Sequence, residues 1–145
     1  MKSMSLRSLQ ALCLTSFFIA DVRDGLGPFL GIFLTQHHWR PDDIGLLMTA
    51  GGVAGLLATL PAGFITDASR NKRLMLAILC IMITGTTLLL WFSQGSSVVA
   101  ISQIVSGICA AFIGPLITGI TLGLTGQDGF STQMGKNEAF NHAGN

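Results

Sequence analysis

Two long stretches of the chain carry no charged residue: Ile44 to Thr66 and Leu74 to Gln127. A helix needs about 20 apolar residues to cross the roughly 30 Å hydrocarbon core of a bilayer. The first stretch is one crossing. The second is too long for one, and the polar cluster Ser93-Gln94-Gly95-Ser96-Ser97 divides it with turn chemistry. The segment from Ser8 to about Gln36 is also long enough to cross, although Asp21, Arg23 and Asp24 interrupt it. The pattern therefore predicts four spans, roughly 8–36, 41–66, 73–92 and 97–125. A polar loop is expected from Gln127 to Lys136, and the opening of a fifth helix at 137–145. The apolar runs show no alternation of period two, so strands are not expected. Helices satisfy their own backbone hydrogen bonds in lipid. The chain reads as a single all-α integral membrane unit over residues 1–145 that breaks off as a fifth helix begins.

Composition narrows the class further. Only 10% of the residues are charged and half are hydrophobic, against about 25% charged in a soluble domain. That is too little charge to coat a surface in water, so the expected partner is the lipid bilayer. A net charge of +1 gives no field for nucleic acid. Cys13, Cys80 and Cys109 all lie in apolar runs without CxxC or CxxH spacing and read as small helix-packing residues; no metal site and no cofactor is expected. The basic start and the run Ala11–Ala20 resemble a signal peptide, but Phe18 stands where cleavage wants a small residue, so an uncleaved first helix is the better reading. With four spans, Lys2, Arg7, Arg70, Lys72, Arg73 and Lys136 share one side and only Arg40 lies on the other. The positive-inside rule then puts the N-terminus in the cytoplasm.

The candidate chemistry starts with Asp21, Arg23 and Asp24. A charge near the middle of a span costs about 2.5–3.5 kcal/mol even on the mildest scale. Three together call for a water-filled cavity or a partner helix. Gly27 and Pro28 follow at once, and the proline ring clashes with the carbonyl four residues back, so a kink beside the charges is expected. Broken helices lining a cavity mark substrate and ion sites in transporters. The competing reading is a buried structural ion network. Gly51 and Gly55 form a GxxxG pair suited to close helix approach. The next candidates are Gly119 and Gly123 at the same spacing, and a break at Gly114-Pro115. His37 and His38 lack a third ligand at suitable spacing, and Asp42 and Asp43 after Pro41 read as a helix start. Glu138, Asn141, His142 and Asn145 fall on one helical face, a polar stripe suited to an aqueous path, in which Glu138 and His142 can share a proton. The alternative for that stripe is a solvated helix end.

These pieces resemble the N-terminal part of a major facilitator superfamily transporter. Trp39-Arg40-Pro41-Asp42-Asp43-Ile44-Gly45 is similar to the W-x-P-x-x-I-G entry to the second helix. Gly63 to Arg73 resembles the loop signature G-x-L-x-D-R-x-G-R-R: Gly63 and Asp67 match, and Lys72 and Arg73 supply the basic end, while Ala68, Arg70 and Asn71 depart from it. Gln103 to Ala111 resembles R-x-x-Q-G-x-G-A-A, with Gln103 in place of an arginine linked to proton coupling. The resemblance implies a partial N-terminal six-helix bundle of a twelve-helix fold. It implies alternating access that moves a small-molecule substrate across a bacterial inner membrane, with protons as a candidate coupling ion. Gly63, Asp67, Lys72 and Arg73 would form a conformational latch, and Gln103 would join Asp21, Arg23 and Asp24 on the substrate or proton path. The chain alone is expected not to transport. The rival reading is a small four-helix membrane scaffold or subunit. An enzyme is not expected, since no nucleophile–base pair or metal constellation is present.

Overall fold

A computed structural model describes residues 6–24 and 27–144, the side chains of Asp24 and Pro28 excepted. Every element among these residues is a helix: α1 (Leu6–Asp24), α2 (Gly27–Gln36), α3 (Pro41–Ala68), α4 (Lys72–Phe92) and α5 (Ser96–Ala143). Of these, α3, α4 and α5 are each long and apolar enough to cross a membrane. Gly27 and Pro28 open α2 with helical backbone, and residues 25 and 26, which join it to α1 beside the charges, lie outside the described residues. The surface is inverted relative to a water-soluble protein. Leu60, Phe64, Trp91 and Phe92 are all exposed, Phe92 by 82%. Monomers in water rarely expose contiguous apolar surface of that kind, whereas lipid accepts it.

Helix α3 starts as expected, with Pro41 in its first turn followed by Asp42 and Asp43. The acids complement the positive end of the helix dipole. Helix α2 ends in a tight cap. The Trp39 N–H donates to the Leu34 carbonyl and the His38 N–H to the Thr35 carbonyl, both at 3.1 Å. His38 takes a left-handed φ of 64°, and Trp39 packs with Leu34 in one apolar cluster. This is the Schellman arrangement, whose left-handed position glycine fills at least cost. His38→Gly is therefore expected to raise thermal stability by up to about 1 kcal/mol, with His38→Val lowering it. A melting series in detergent reads both, and equal melting points would refute the assignment.

The largest departure from the sequence reading is in α5. Gln127–Lys136, expected as a polar loop, is helical, and so is the segment expected to open only at residue 137. One residue, Gly126, makes the whole reversal, with φ 66° and ψ −172°. That region is essentially restricted to glycine. Residues 96–125 and 127–143 thus form two arms, with Thr121 of the first bonded to Asn137 of the second. Polar composition suggested a loop because the inward-facing positions of the second arm are themselves polar. At Gly114-Pro115 α5 keeps helical dihedrals through both residues, so the helix is not interrupted there. A proline removes one backbone hydrogen bond, and membrane helices tolerate that where neighbours pack around it.

Three seams hold the bundle. Ile19 of α1, Leu76, Leu79 and Ile83 of α4, and Cys109, Ile113 and Leu116 of α5 form the main core. Leu30, Leu34, Ile44, Leu90 and Val99 form a second cluster at the opposite end from Ser8, Arg73 and Leu124, which line a common groove. The third seam joins α3 to α5 by backbone contact. A β-carbon on Gly51 would stand 2.8 Å from the Gln103 carbonyl oxygen, and one on Gly55 2.9 Å from that of Gly107. A β-carbon on Gly107 would run into the Gly51 carbonyl. The expected Gly51–Gly55 pair is therefore a close-approach motif. The Gly119–Gly123 pair is not: Gly119 faces the Lys72 side chain and Gly123 faces open space.

Candidate functional site

The polar groups of the interior gather where α1 meets the two arms of α5. Asn137 is the hub and is 1% exposed. Its Nδ2 donates to the Thr121 hydroxyl at 2.9 Å, and its Oδ1 accepts from Gln133 Nε2 at 2.9 Å. The Cys13 thiol lies 3.6 Å from the same Oδ1. Gln133 Nε2 also reaches the Cys13 sulfur at 3.3 Å and the Leu9 carbonyl at 3.4 Å. The Thr121 hydroxyl in turn donates to the Ile117 carbonyl at 2.7 Å. Each of these buried side chains has a partner, as a low-dielectric interior requires. Gln133 falls in the segment whose composition predicts a loop, and nothing in the sequence by itself joins Thr121 of one arm to Asn137 of the other. The signal was there: Gln133, Asn137 and Asn141 are spaced by four, three amides on one helical face. Cys13, expected only to pack, belongs to this network; Cys109 does pack in the core.

Beside the network lies a small cavity of about 100 Å³, bordered by Ser16, Arg23, Asn137, Glu138 and Asn141. Ile19, Ile113, Ile117 and Met134 close its other side; a water needs roughly 10–15 Å³, so the space holds several waters against its polar side. Glu138 accepts from Asn141 Nδ2 at 3.3 Å. It does not pair with His142, which is exposed and does not border the cavity. Helix geometry explains the difference: the (i, i+3) neighbour turns toward the cavity and the (i, i+4) neighbour away from it. Asn145 and the side chain of Asp24 lie outside the described residues. Asp21 is exposed.

Arg23 also borders a second, wider cleft of about 460 Å³ along the α3–α5 seam, with Thr59, Gln103, Ser106 and the glycines of the seam. The structure thus brings together Arg23, Gln103, Glu138 and Asn141 from the expected path, with Arg23 between the two spaces.

The α3–α4 connection is arranged differently. Lys72 is half-buried and its ammonium donates to the carbonyls of Thr66 and Ser69, each at 2.7 Å. It caps the carbonyl end of α3, where the helix dipole favours a cation. Asp67 and Arg73 are exposed, and no ion pair joins Asp67 to a base among the described residues. Gly63 is half-buried with nothing near the position of a β-carbon. The Thr66 hydroxyl is buried without a hydrogen-bond partner. At the far end, His37 Nδ1 meets the Phe33 carbonyl at 2.8 Å. Arg40 and Asp42 stand 3.7 Å apart in full exposure, where an ion pair contributes little.

An all-helical bundle with a lipid-compatible surface and a glycine seam defines a multi-pass membrane protein. The chain belongs to the major facilitator superfamily, whose sequence pattern matches residues 12–145. Members of that family generally transport rather than catalyse. Among curated proteins it is similar to an uncharacterised MFS-type transporter of Mycobacterium tuberculosis strain CDC 1551 / Oshkosh, with 39% identity over 140 residues. An MFS-type transporter of strain ATCC 25618 / H37Rv matches to the same extent, over 96% of this chain and 34% of the relative. The chain therefore spans about a third of the length of the curated relatives it matches. No solved structure matches it.

Proposed function

We propose that this chain forms part of a secondary transporter that moves a small solute by alternating access. The observation that carries the reading is Arg23, a guanidinium on a membrane helix that borders both the Gln103 cleft and the Glu138–Asn141 cavity. Arg23 is exposed in the last turn of α1, and a charge within the membrane is costly unless water or a ligand meets it. Asp21, Asp24 and Asn145 are assigned to the same polar path from the sequence pattern, without His142, and Glu138 is the candidate proton carrier. Asp67, Lys72 and Arg73 act as the latch. The hold of Lys72 on the end of α3 supports this, because such a clasp must open when the helices rock. The membrane is the inner membrane of a bacterium, with the N-terminus in the cytoplasm. The common groove of Ser8, Arg73 and Leu124 supports one basic end for the bundle. Since the relatives are about three times longer, the chain alone does not transport.

The path is tested in a chain with Cys13 replaced by serine and Cys80 and Cys109 by alanine. A neutral water-soluble maleimide should label Gln103→Cys and Glu138→Cys in liposomes while sparing Leu88→Cys on the exposed apolar face of α4. Equal labelling of Gln103→Cys and Leu88→Cys would sink the aqueous path. Liposomes holding the chain alone should keep an imposed pH gradient as long as empty ones do, and its collapse would sink the claim of inactivity.

A further inference from the structure

We infer that the groove between α1, α4 and the first arm of α5 seats an anionic phospholipid, with one acyl chain along the groove and the phosphate at Arg70 and Arg73. The inference goes beyond the transport reading and stands without it. The groove has a volume of about 650 Å³, and its walls are apolar apart from Ser8, Thr15 and Arg73. At one end it meets a basic pocket of about 400 Å³ formed by residues 70–74 and the end of the first arm of α5. Arg73, Ile120 and Leu124 border both spaces, so the two are continuous. Together they have the form of an amphiphile, a hydrocarbon slot with a cationic head. Along α1 the groove extends from Ser8 to Val22, about 21 Å at 1.5 Å per residue. One leaflet of hydrocarbon is about 15 Å deep, so the slot holds an acyl chain from the membrane surface to the midplane.

The bases of the α3–α4 connection are used unequally. Lys72 is committed to the carbonyls of Thr66 and Ser69. Arg70 and Arg73 are exposed, and neither makes a hydrogen bond or an ion pair among the described residues. They flank the start of α4, the positive end of its dipole. Asn71 at the N-cap gives no side-chain bond to the free N–H groups there, and the first turn holds no acid. A phosphodiester joins these donors and matches the guanidinium fork. No described acid borders either space. Asp67, the nearest in sequence, pairs with neither arginine, and Asp128 lies exposed in the second arm. Asp21 and Asp24 belong to the far end of α1, Asp42 and Asp43 to the far end of α3, and Glu138 to the smaller cavity. A free phosphate would leave the groove unfilled, and an apolar helix would leave the arginines unmet. An anionic phospholipid satisfies both, as in other basic pockets between membrane helices, and the exposed rim residues Leu14 and Phe18 open the groove to the bilayer.

Native mass spectrometry of the chain released from detergent tests this, titrating phosphatidylglycerol against phosphatidylcholine with the same acyl chains. Phosphatidylglycerol should bind more tightly by roughly tenfold or more. Arg70→Gln combined with Arg73→Gln should weaken it by roughly thirtyfold, the product of two basic contacts, and should hardly change phosphatidylcholine. Arg40→Gln combined with Lys136→Gln removes the same charge from residues that border neither space, and should leave the preference intact. Ala77→Phe fills the groove from its exposed wall and should weaken both lipids alike. Equal binding of the two lipids, or equal losses in the two charge variants, overturns the inference. So does displacement of phosphatidylglycerol by an equal concentration of glycerol 1-phosphate, which would mean a phosphate site without a lipid. A lipid-free dimer that Ala77→Phe separates would overturn it as well, since a second copy would then cover the groove.

Discussion

Gly107→Ala should loosen the α3–α5 seam and lower the stability of the bundle by at least about 1–3 kcal/mol, the range for forcing a methyl into a packed interior. Gly107→Val should leave little folded protein. The added carbon has nowhere to go. It meets the Gly51 carbonyl, a backbone atom that cannot rotate away, while Gly51 and Gly55 are themselves pressed against the carbonyls of Gln103 and Gly107. Relief requires the two helices to separate along their length, and this is the most extensive helix–helix contact in the bundle. The control is Gly123→Ala, one of the α5 glycines with open space around it. There, replacing glycine in a helix should be neutral or stabilising by up to about 1 kcal/mol. Thermal unfolding of the three variants in one detergent compares them. Equal losses at 107 and 123 would mean that helix propensity, and not close approach, governs the seam.

The second large effect is expected at Asn137. Asn137→Leu has nearly the same size but removes the donor to Thr121 and the acceptor for Gln133. Hydrogen bonds between membrane helices average about 0.6 kcal/mol, whereas a buried group stripped of its partner costs about 1–3 kcal/mol. The second figure should govern here, because Asn137 is 1% exposed and water cannot replace it. Thr121 softens the loss by keeping its bond to the Ile117 carbonyl, and Gln133 by keeping its longer contacts to Leu9 and Cys13. A net loss of about 2 kcal/mol is expected. Asn137→Leu and Gln133→Leu should also be strongly non-additive, since each removes the other's partner. Additive losses in a double-mutant cycle would show that the two amides act independently.

Arg23 is legible as a candidate residue because a charge in an apolar run is conspicuous in any sequence. Which spaces it borders was not legible. The sequence placed Asp21 and Asp24 on one face and Arg23 on another, but only packing shows that the Arg23 face meets both α5 and the α3 seam. The Gly51–Gly55 and Gly119–Gly123 pairs look alike as sequence, yet only the first faces a backbone. Glu138 offered His142 and Asn141 as neighbours on its own helix, and the direction of the cavity chose Asn141.

By itself, the sequence determined that the chain is helical, that it lives in lipid, where α3, α4 and the first arm of α5 run, and that it resembles a transporter family. Those properties depend on transfer free energy and local backbone chemistry, which each segment carries alone. The tertiary structure decided that 127–136 is helix, that Gly126 alone turns the chain, and that Gln133, Asn137, Thr121 and Cys13 form one network. A polar residue in a loop and a polar residue facing a buried partner have the same composition. Only the position of the neighbouring helix distinguishes them.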